Sequence, residues 1–405
     1  MSYGSAQTGK NYGAHVVTVD FRSDTVTKPC AVMRKAMHDA EVGDDVYHED
    51  PTTKRLEEYV ADLMGMEAAL FVSSGTMGNL LSTMVHCNTR GCEMYLGQDA
   101  HMVHHEQGSA AQIANVTICP IPNNPDGTFD LRQVRLRLKD SANVHSSISR
   151  MMAVENTHNG KILPMKWIKE AVAFGKKHGL KLHMDGARIW YASIIGGTPI
   201  REIVEGFDSV TFCLSKLGAP VGSMLCGSRE FIAQARRTRK VLGGGMRQTG
   251  VLTACALVAL ENLPKIAKEQ EKVAAMMKTV NELDSDIFKV HPIDAQTNMA
   301  WISVEETDEV TAPKFAKRLG EIEDEHEDDQ IRVLAWAVRP RMVRFVYHLD
   351  VTEEGARAAQ RKVEYVIKQM DPKFNKTLNF IYENKENKEN EIACELEKKL
   401  YIQQV

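Results

Sequence analysis

From about Asp20 to Leu260, short apolar runs alternate with longer segments of mixed polarity. The runs ALFVSS (69–74), EMYLG (93–97), VTICPI (116–121), RMMAVEN (150–156), LKLHMDGA (180–187), SVTFCLS (209–215) and GSMLCG (222–227) read as strands. Their nearly continuous apolar character suits strands buried on both faces. Helical patterns lie between several of them. In PMKWIKEAVAFGKKHG (164–179), Met165, Ile168, Val172 and Phe174 fall near one face, the lysines fall elsewhere, and Gly179 is a stop signal. Repeated strand, helix, strand order predicts a mostly parallel sheet covered on both sides, so residues 20–260 form a large α/β domain. Beyond Leu260 the pattern changes. A long polar helix (264–284) precedes candidate strands MAWISVE (299–305), IRVLAWAV (331–338) and MVRFVYH (342–348), then a helix near 353–370. Residues 261–372 are therefore expected to form a smaller α+β domain. Residues 1–19 read as an extension, and 373–405, with ENKENKEN at 383–390, as a charged low-complexity tail that has little to bury.

Composition narrows the function classes. The 405 residues fit two domains plus a tail, and 43% apolar with 26% charged residues is an ordinary globular balance. Fifty basic against 54 acidic side chains leave a formal charge of −4, which argues against nucleic-acid binding and offers no polybasic patch to a membrane. The uncharged run Gly250–Leu260 falls well short of the ~20 apolar residues that a bilayer span requires. The N-terminus lacks the apolar core of a secretory signal, so a cytoplasmic location is expected. Eight scattered cysteines without a Cys-x-x-Cys pair read as reduced thiols rather than a zinc ribbon. The acidic run EIEDEHEDD (321–329) reads as a solvated loop, because no glycine spaces its carboxylates as a calcium loop requires. No metal site is expected.

Three features carry candidate chemistry. The turn SSGTMGN (73–79) follows an apolar strand, and its backbone N–H groups and hydroxyls suit a phosphate at the start of a helix. It matches neither the Walker spacing nor GxGxxG, which leaves a non-nucleotide phosphate open. In HMDGAR (183–188), Asp185 ends an apolar strand, at the edge where open α/β sheets bind ligands. Lys216 ends another, SVTFCLSK, an unusual place for a residue type that is seldom buried. A phosphate turn, a carboxylate and an amine in this order are the parts that pyridoxal 5'-phosphate (PLP) requires: a lysine for the Schiff base and an acid to protonate the pyridine nitrogen.

The motifs FRSDTVTKP (21–29), VGDDVYHEDPT (42–52), EAALFVSSGTMGN (67–79), ENTHNGKILP (155–164), HMDGARI (183–189), FCLSK (212–216), GAPVGS (218–223) and LGGGMRQTG (242–250) resemble the low-specificity L-threonine aldolase family. The likeness runs from about residue 20 to about 370. It implies a fold-type-I PLP-dependent transferase architecture, cleavage of L-threonine and L-allo-threonine to glycine and acetaldehyde, and a homodimer or homotetramer with sites between subunits. By the same resemblance, Lys216 carries the Schiff base, Asp185 faces the pyridine nitrogen, and Gly75 and Thr76 hold the phosphate. His101 stacks on the ring, Arg188 contacts the cofactor or the substrate carboxylate, and Ser23 and Arg344 fix that carboxylate. Arg247 reaches a phosphate, expected to be the neighbouring subunit's. His101 and His145 are the candidate proton acceptors, with a bound water as the alternative. Two departures bear on competence. The family's SKGLG is SKLG here, a glycine short after Lys216, and His48 stands where glycine is usual. The alternatives are a PLP-binding homologue with little turnover, or a PLP lyase acting on another β-hydroxy amino acid.

Overall fold

The computed structural model describes residues 16–291, 295–322, 330–339 and 341–374. The acidic run over 323–329 and the tail from residue 375 lie outside the described residues. After a short first strand, β1 (Val17–Asp20), the seven strands expected between residues 69 and 227 all form. They are β2 (Ala68–Val72), β3 (Cys92–Gly97), β4 (Thr117–Ile121), β5 (Ile148–Glu155), β6 (Lys181–Asp185), β7 (Ser209–Cys213) and β8 (Ser223–Gly227). They build one sheet in the order β2-β8-β7-β6-β5-β3-β4. Only β8 is antiparallel to its neighbours, so the other six share one direction and bring their carboxyl ends to one edge.

Residue type explains each strand's place. β7 and β8 are buried along their whole length, which suits their mainly apolar sequences, with Ser209, Thr211 and Ser223 as the buried polar positions. β4 contains Pro120, which lacks an N–H, and it lies at the edge, where no further strand needs that donor. The helix Gly75–His86 lies against β7 at a distance set by Gly78: a Cβ there would stand 2.6 Å from Thr211 Cγ2. The helix Gly250–Glu261 is packed against Ala31–His38 and Pro51–Met64. No single helix among the described residues is long and apolar enough to cross a membrane.

The C-terminal unit has a second, antiparallel sheet of β9 (Phe288–Lys289), β10 (Met299–Val304), β12 (Trp336–Arg339) and β13 (Met342–Val346), ordered β12-β13-β10-β9. Helices Ala267–Glu282, Ala312–Leu319 and Glu353–Met370 pack on the core of this unit. Two expectations need correction. IRVLAWAV is not one strand: β11 (Ile331–Leu334) buries Ile331 and Val333 against the core, whereas β12 forms the sheet's partly exposed edge. β11 also pairs in parallel with β1. Residues 17–21, read as the junction of an extension and the large domain, therefore belong to the small unit. Phe21 packs there against Phe345 and Tyr347, with ring centroids 5.8 and 4.5 Å away.

Candidate active site

The turns after β2, β3, β6 and β7 meet at the carboxyl edge of the large sheet. After β2, the Ser74 hydroxyl caps the helix Gly75–His86 by accepting from Met77 N at 3.1 Å. The Gly75 and Thr76 N–H groups have no acceptor among the described residues, as a phosphate cradle requires. Gly75 is fixed by packing, because a Cβ would come within 2.8 Å of Cys213 Sγ. Beside it the buried Ser223 hydroxyl has no partner among the described residues.

Asp185 ends β6, buried, and accepts from Asn79 Nδ2 at 2.8 Å and Ala187 N at 3.1 Å. The same Asn79 nitrogen donates to Glu106 Oε1 at 2.8 Å, and Glu106 also binds His101 Nδ1 at 3.0 Å. His101, Glu106 and Asp185 bring ligand atoms within 4.8 Å of one another, and the Asn79 amide fills the gap between the two carboxylates. Burial pulls the His101 pKa down, but the bond to Glu106 and the charges of Asp185 and Glu106 outweigh it, so its net shift is upward. Burial, reinforced by the charge of Asp185, raises Glu106 despite the bonds from His101 and Asn79.

On the small-unit side, buried Asp24 binds Arg188 through two bonds, Nε to Oδ2 at 2.7 Å and Nη2 to Oδ1 at 2.8 Å, and accepts from Asn298 Nδ2 at 3.1 Å. Burial alone would raise the Asp24 pKa; Arg188 and Lys216 reverse this and hold it below the usual carboxylate range. Arg188 is thus engaged by the protein itself, with only Nη1 outside the pair. Arg344 on β13 stands across from Trp301 and Trp336 and donates from Nη2 to the Arg22 carbonyl at 3.2 Å. Its Nε is buried without a partner among the described residues. Burial, aided by the charge of Arg188, lowers its pKa to about 10. A buried guanidinium with an orphaned donor calls for an anion. Ser23 lies one residue before Asp24 and caps a short turn by accepting from Thr25 N at 3.2 Å.

Lys216 sits half-buried in the turn after β7, and its charge is felt at Asp24 and His101. Its amine makes no hydrogen bond or ion pair among the described residues. The shortened loop closes without strain at Leu217. Leu217 N and Ala219 N both bond Leu214 O, at 2.9 and 3.3 Å, and the left-handed backbone falls on Gly218 (φ 90°) and Gly222 (φ 107°). Leu217 thus needs no left-handed backbone, although the loop is one residue shorter than in the family. His48 does adopt the left-handed conformation, at φ 58°, that makes glycine usual there.

Gly75, Thr76, His101, Asp185, Arg188, Lys216, Ser23 and Arg344 thus border one region. His145 does not join them within one chain. It is exposed, three residues before β5, whereas the site is at that strand's far end, roughly 23 Å away at the usual rise. Arg247 is also peripheral, half-exposed and paired with Asp44 at 2.8 Å. Sequence reading missed Asn79, Glu106, Asp24 and Asn298. Asn79 and Asp24 stood inside SSGTMGN and FRSDTVTKP, and Glu106 lies five residues after His101, but only a structure shows which polar residue of a segment turns inward.

Residues 20–305 match the family model described as beta-eliminating lyase. A low-specificity L-threonine aldolase of Arabidopsis thaliana is 46% identical over 310 residues, 75% of this chain and 86% of that protein. The low specificity L-threonine aldolase of Escherichia coli K12 is 40% identical over 338 residues, 83% of this chain and 95% of the relative. Among solved structures, the Leishmania major threonine aldolase superposes with a TM-score of 0.70 at 18% identity, covering 87% of this chain and 99% of that one. The chain belongs to the beta-eliminating lyase family, and within it to the low-specificity L-threonine aldolases that it matches over most of its length.

Proposed function

We propose that the protein is a PLP-dependent carbon–carbon lyase that cleaves L-threonine and L-allo-threonine to glycine and acetaldehyde. The observation that carries this reading is the unpaired Lys216 amine, near His101 and Asp24 at the sheet edge where Asp185 ends its strand. The residues fit the cofactor: free N–H groups at Gly75 and Thr76 for its phosphate, the Asp185 carboxylate for its ring nitrogen and the Lys216 amine for its aldehyde. When bound, PLP supplies a protonated ring that accepts the electron pair of the broken Cα–Cβ bond.

The chain's own groups do the rest. Arg344, with its orphaned Nε, and Ser23 bind the substrate carboxylate and so orient the bond to be broken. Arg188, locked to Asp24, adds positive charge beside them without moving. Asp185 keeps a proton on the ring nitrogen. His101, oriented by Glu106 through Nδ1, is this chain's candidate to take the β-hydroxyl proton at Nε2. Arg247 is assigned to a phosphate in a neighbouring copy, which requires a homodimer or homotetramer. All seven described cysteines are free, as a reducing cytoplasm would leave them.

The test is acetaldehyde release from both threonine isomers by the PLP-loaded protein. Lys216→Ala is expected to lose on the order of 10³-fold or more in kcat. Undiminished activity in that variant removes Lys216 from the reaction. Arg344→Ala is expected to raise KM for threonine by about 100-fold, the effect of losing a charge-assisted carboxylate contact, while cofactor absorbance is retained. Sedimentation at the mass of a single 45.3 kDa chain would contradict the assignment of Arg247.

A further inference from the structure

Behind the site a buried chain of polar side chains runs between the helix Gly75–His86 and strands β6 and β7. Asn79 gives both amide hydrogens to carboxylates, Asp185 and Glu106, each at 2.8 Å. The reverse orientation would set its oxygen against two acids, so what fixes the amide matters. Its Oδ1 faces His183 Nε2 at 3.0 Å. For His183 to donate there, Nε2 carries the proton and Nδ1 is an acceptor. Nδ1 meets Ser209 Oγ at 2.8 Å, and Ser209 Oγ meets His86 Nε2 at 2.7 Å. One assignment runs through the whole chain: His86 donates to Ser209, Ser209 to His183, His183 to Asn79, and Asn79 to the two carboxylates, which leaves the Ser82 hydroxyl, 3.5 Å from Ser209 Oγ, as a donor to Ser209. Every donor in this chain points towards the cofactor site.

The surroundings keep both imidazoles neutral, as the assignment needs. His183 is fully buried and His86 nearly so, with its ring stacked on Phe231 at 4.6 Å. Burial holds their pKa values at about 3 and about 4. The charged groups acting along the chain are His101 and Asp185 on Glu106 at the site, and Asp208, Lys181 and Arg150 beside His86.

We infer that Asn79, locked by His183, Ser209 and His86, is a positioning residue that keeps Asp185 and Glu106 from sharing a proton, so that Asp185 stays charged towards the cofactor nitrogen. The inference rests on the proposed PLP reading. Two buried carboxylates left facing each other would trade one charge for a proton. The inserted amide prevents this by donating to both.

The test compares wild type, His183→Phe and His183→Gln. Phenylalanine fills the space without donating, whereas glutamine offers a neutral donor and acceptor in place of Nε2 and Nδ1. In the holoenzyme, His183→Phe is expected to lower kcat for threonine about tenfold with KM within about twofold, and to shift the pH midpoint of the cofactor's visible absorbance. His183→Gln should restore both. A His183→Phe protein that melts earlier yet keeps the wild-type kcat and midpoint would overturn the inference, since that is what a purely structural histidine gives. Independently of the cofactor, ¹⁵N NMR of the histidine-labelled apoprotein should show His183 and His86 as neutral Nε2–H tautomers between pH 6 and 8. An Nδ1–H tautomer at His183 would also overturn it. A wild-type protein that neither absorbs with PLP nor cleaves threonine rejects the functional reading instead.

Discussion

His48 and the two buried histidines show how one residue type answers to different physics. His48 is held left-handed at φ 58°, a backbone that disfavours any Cβ. Both His48→Gly and His48→Ala remove the imidazole, but only glycine relieves the backbone. The glycine variant is expected to be about 1 kcal/mol more stable than the alanine variant, read from urea midpoints. Equal midpoints would show that the turn carries no such strain. For His86 and His183 the folded pKa values lie below the ordinary 6.5. Their contribution to stability is complete above pH 6.5 and is lost as pH falls towards 4 and 3. Between pH 7 and pH 5 each should cost about 2 kcal/mol, and His183→Gln should lose correspondingly less over that interval. Identical pH dependence in the variant would mean that His183 takes up a proton in the folded protein.

At the level of elements, the helix Gly75–His86 determines where the turn proposed for the phosphate stands, and Gly78 determines where the helix stands. Gly78→Ala would set a Cβ 2.6 Å from Thr211 Cγ2 and 2.8 Å from its Oγ1. The helix must then lift from β7, at about 1–3 kcal/mol of overpacking, and PLP should dissociate about tenfold more readily, as equilibrium dialysis would report. Adding Thr211→Ala removes both clashing atoms and should restore retention; persistent weakness in the double variant would place the fault elsewhere. The same elements show what a sequence makes legible. The seven strands of the large sheet were readable because each is a short, mainly apolar run, and Asp185 and Lys216 because polar residues at the ends of such runs stand out. The division of IRVLAWAV was not readable, since apolarity marks a strand without naming its partner. Nor was the amide of Asn79, whose work depends on an orientation set by His183, far away in sequence.

Across the whole molecule, the two units are joined by polar contacts as well as by the chain. Tyr191 of the large unit donates to buried Glu269 on the helix Ala267–Glu282, while Asp24 joins Arg188 to Asn298. Burial, with the charge of Asp24, raises the Glu269 pKa to about 8, against the pull of Tyr191, Lys272 and Arg188. A carboxyl raised in the folded state contributes stability that is complete below pH 4.5 and is lost as pH rises through 8. Glu269→Gln carries no such proton, so its urea midpoint should change less between pH 6 and pH 9 and exceed that of wild type at the upper end. The opposite ranking would show that Glu269 is ionised at neutral pH.

The pairing of β1 with β11 also sets an order of events during synthesis. Val17 leaves the ribosome early and finds its neighbour only when Ile331 has been made. Until then the Arg22 carbonyl, beside Ser23, cannot meet Arg344, although Asp24 can already find Arg188 and the turns that carry Gly75, Asp185 and Lys216 are available to fold. On the proposed reading, the residues assigned to the cofactor can therefore assemble before those assigned to the substrate carboxylate, which wait for the pairing of β1 with β11.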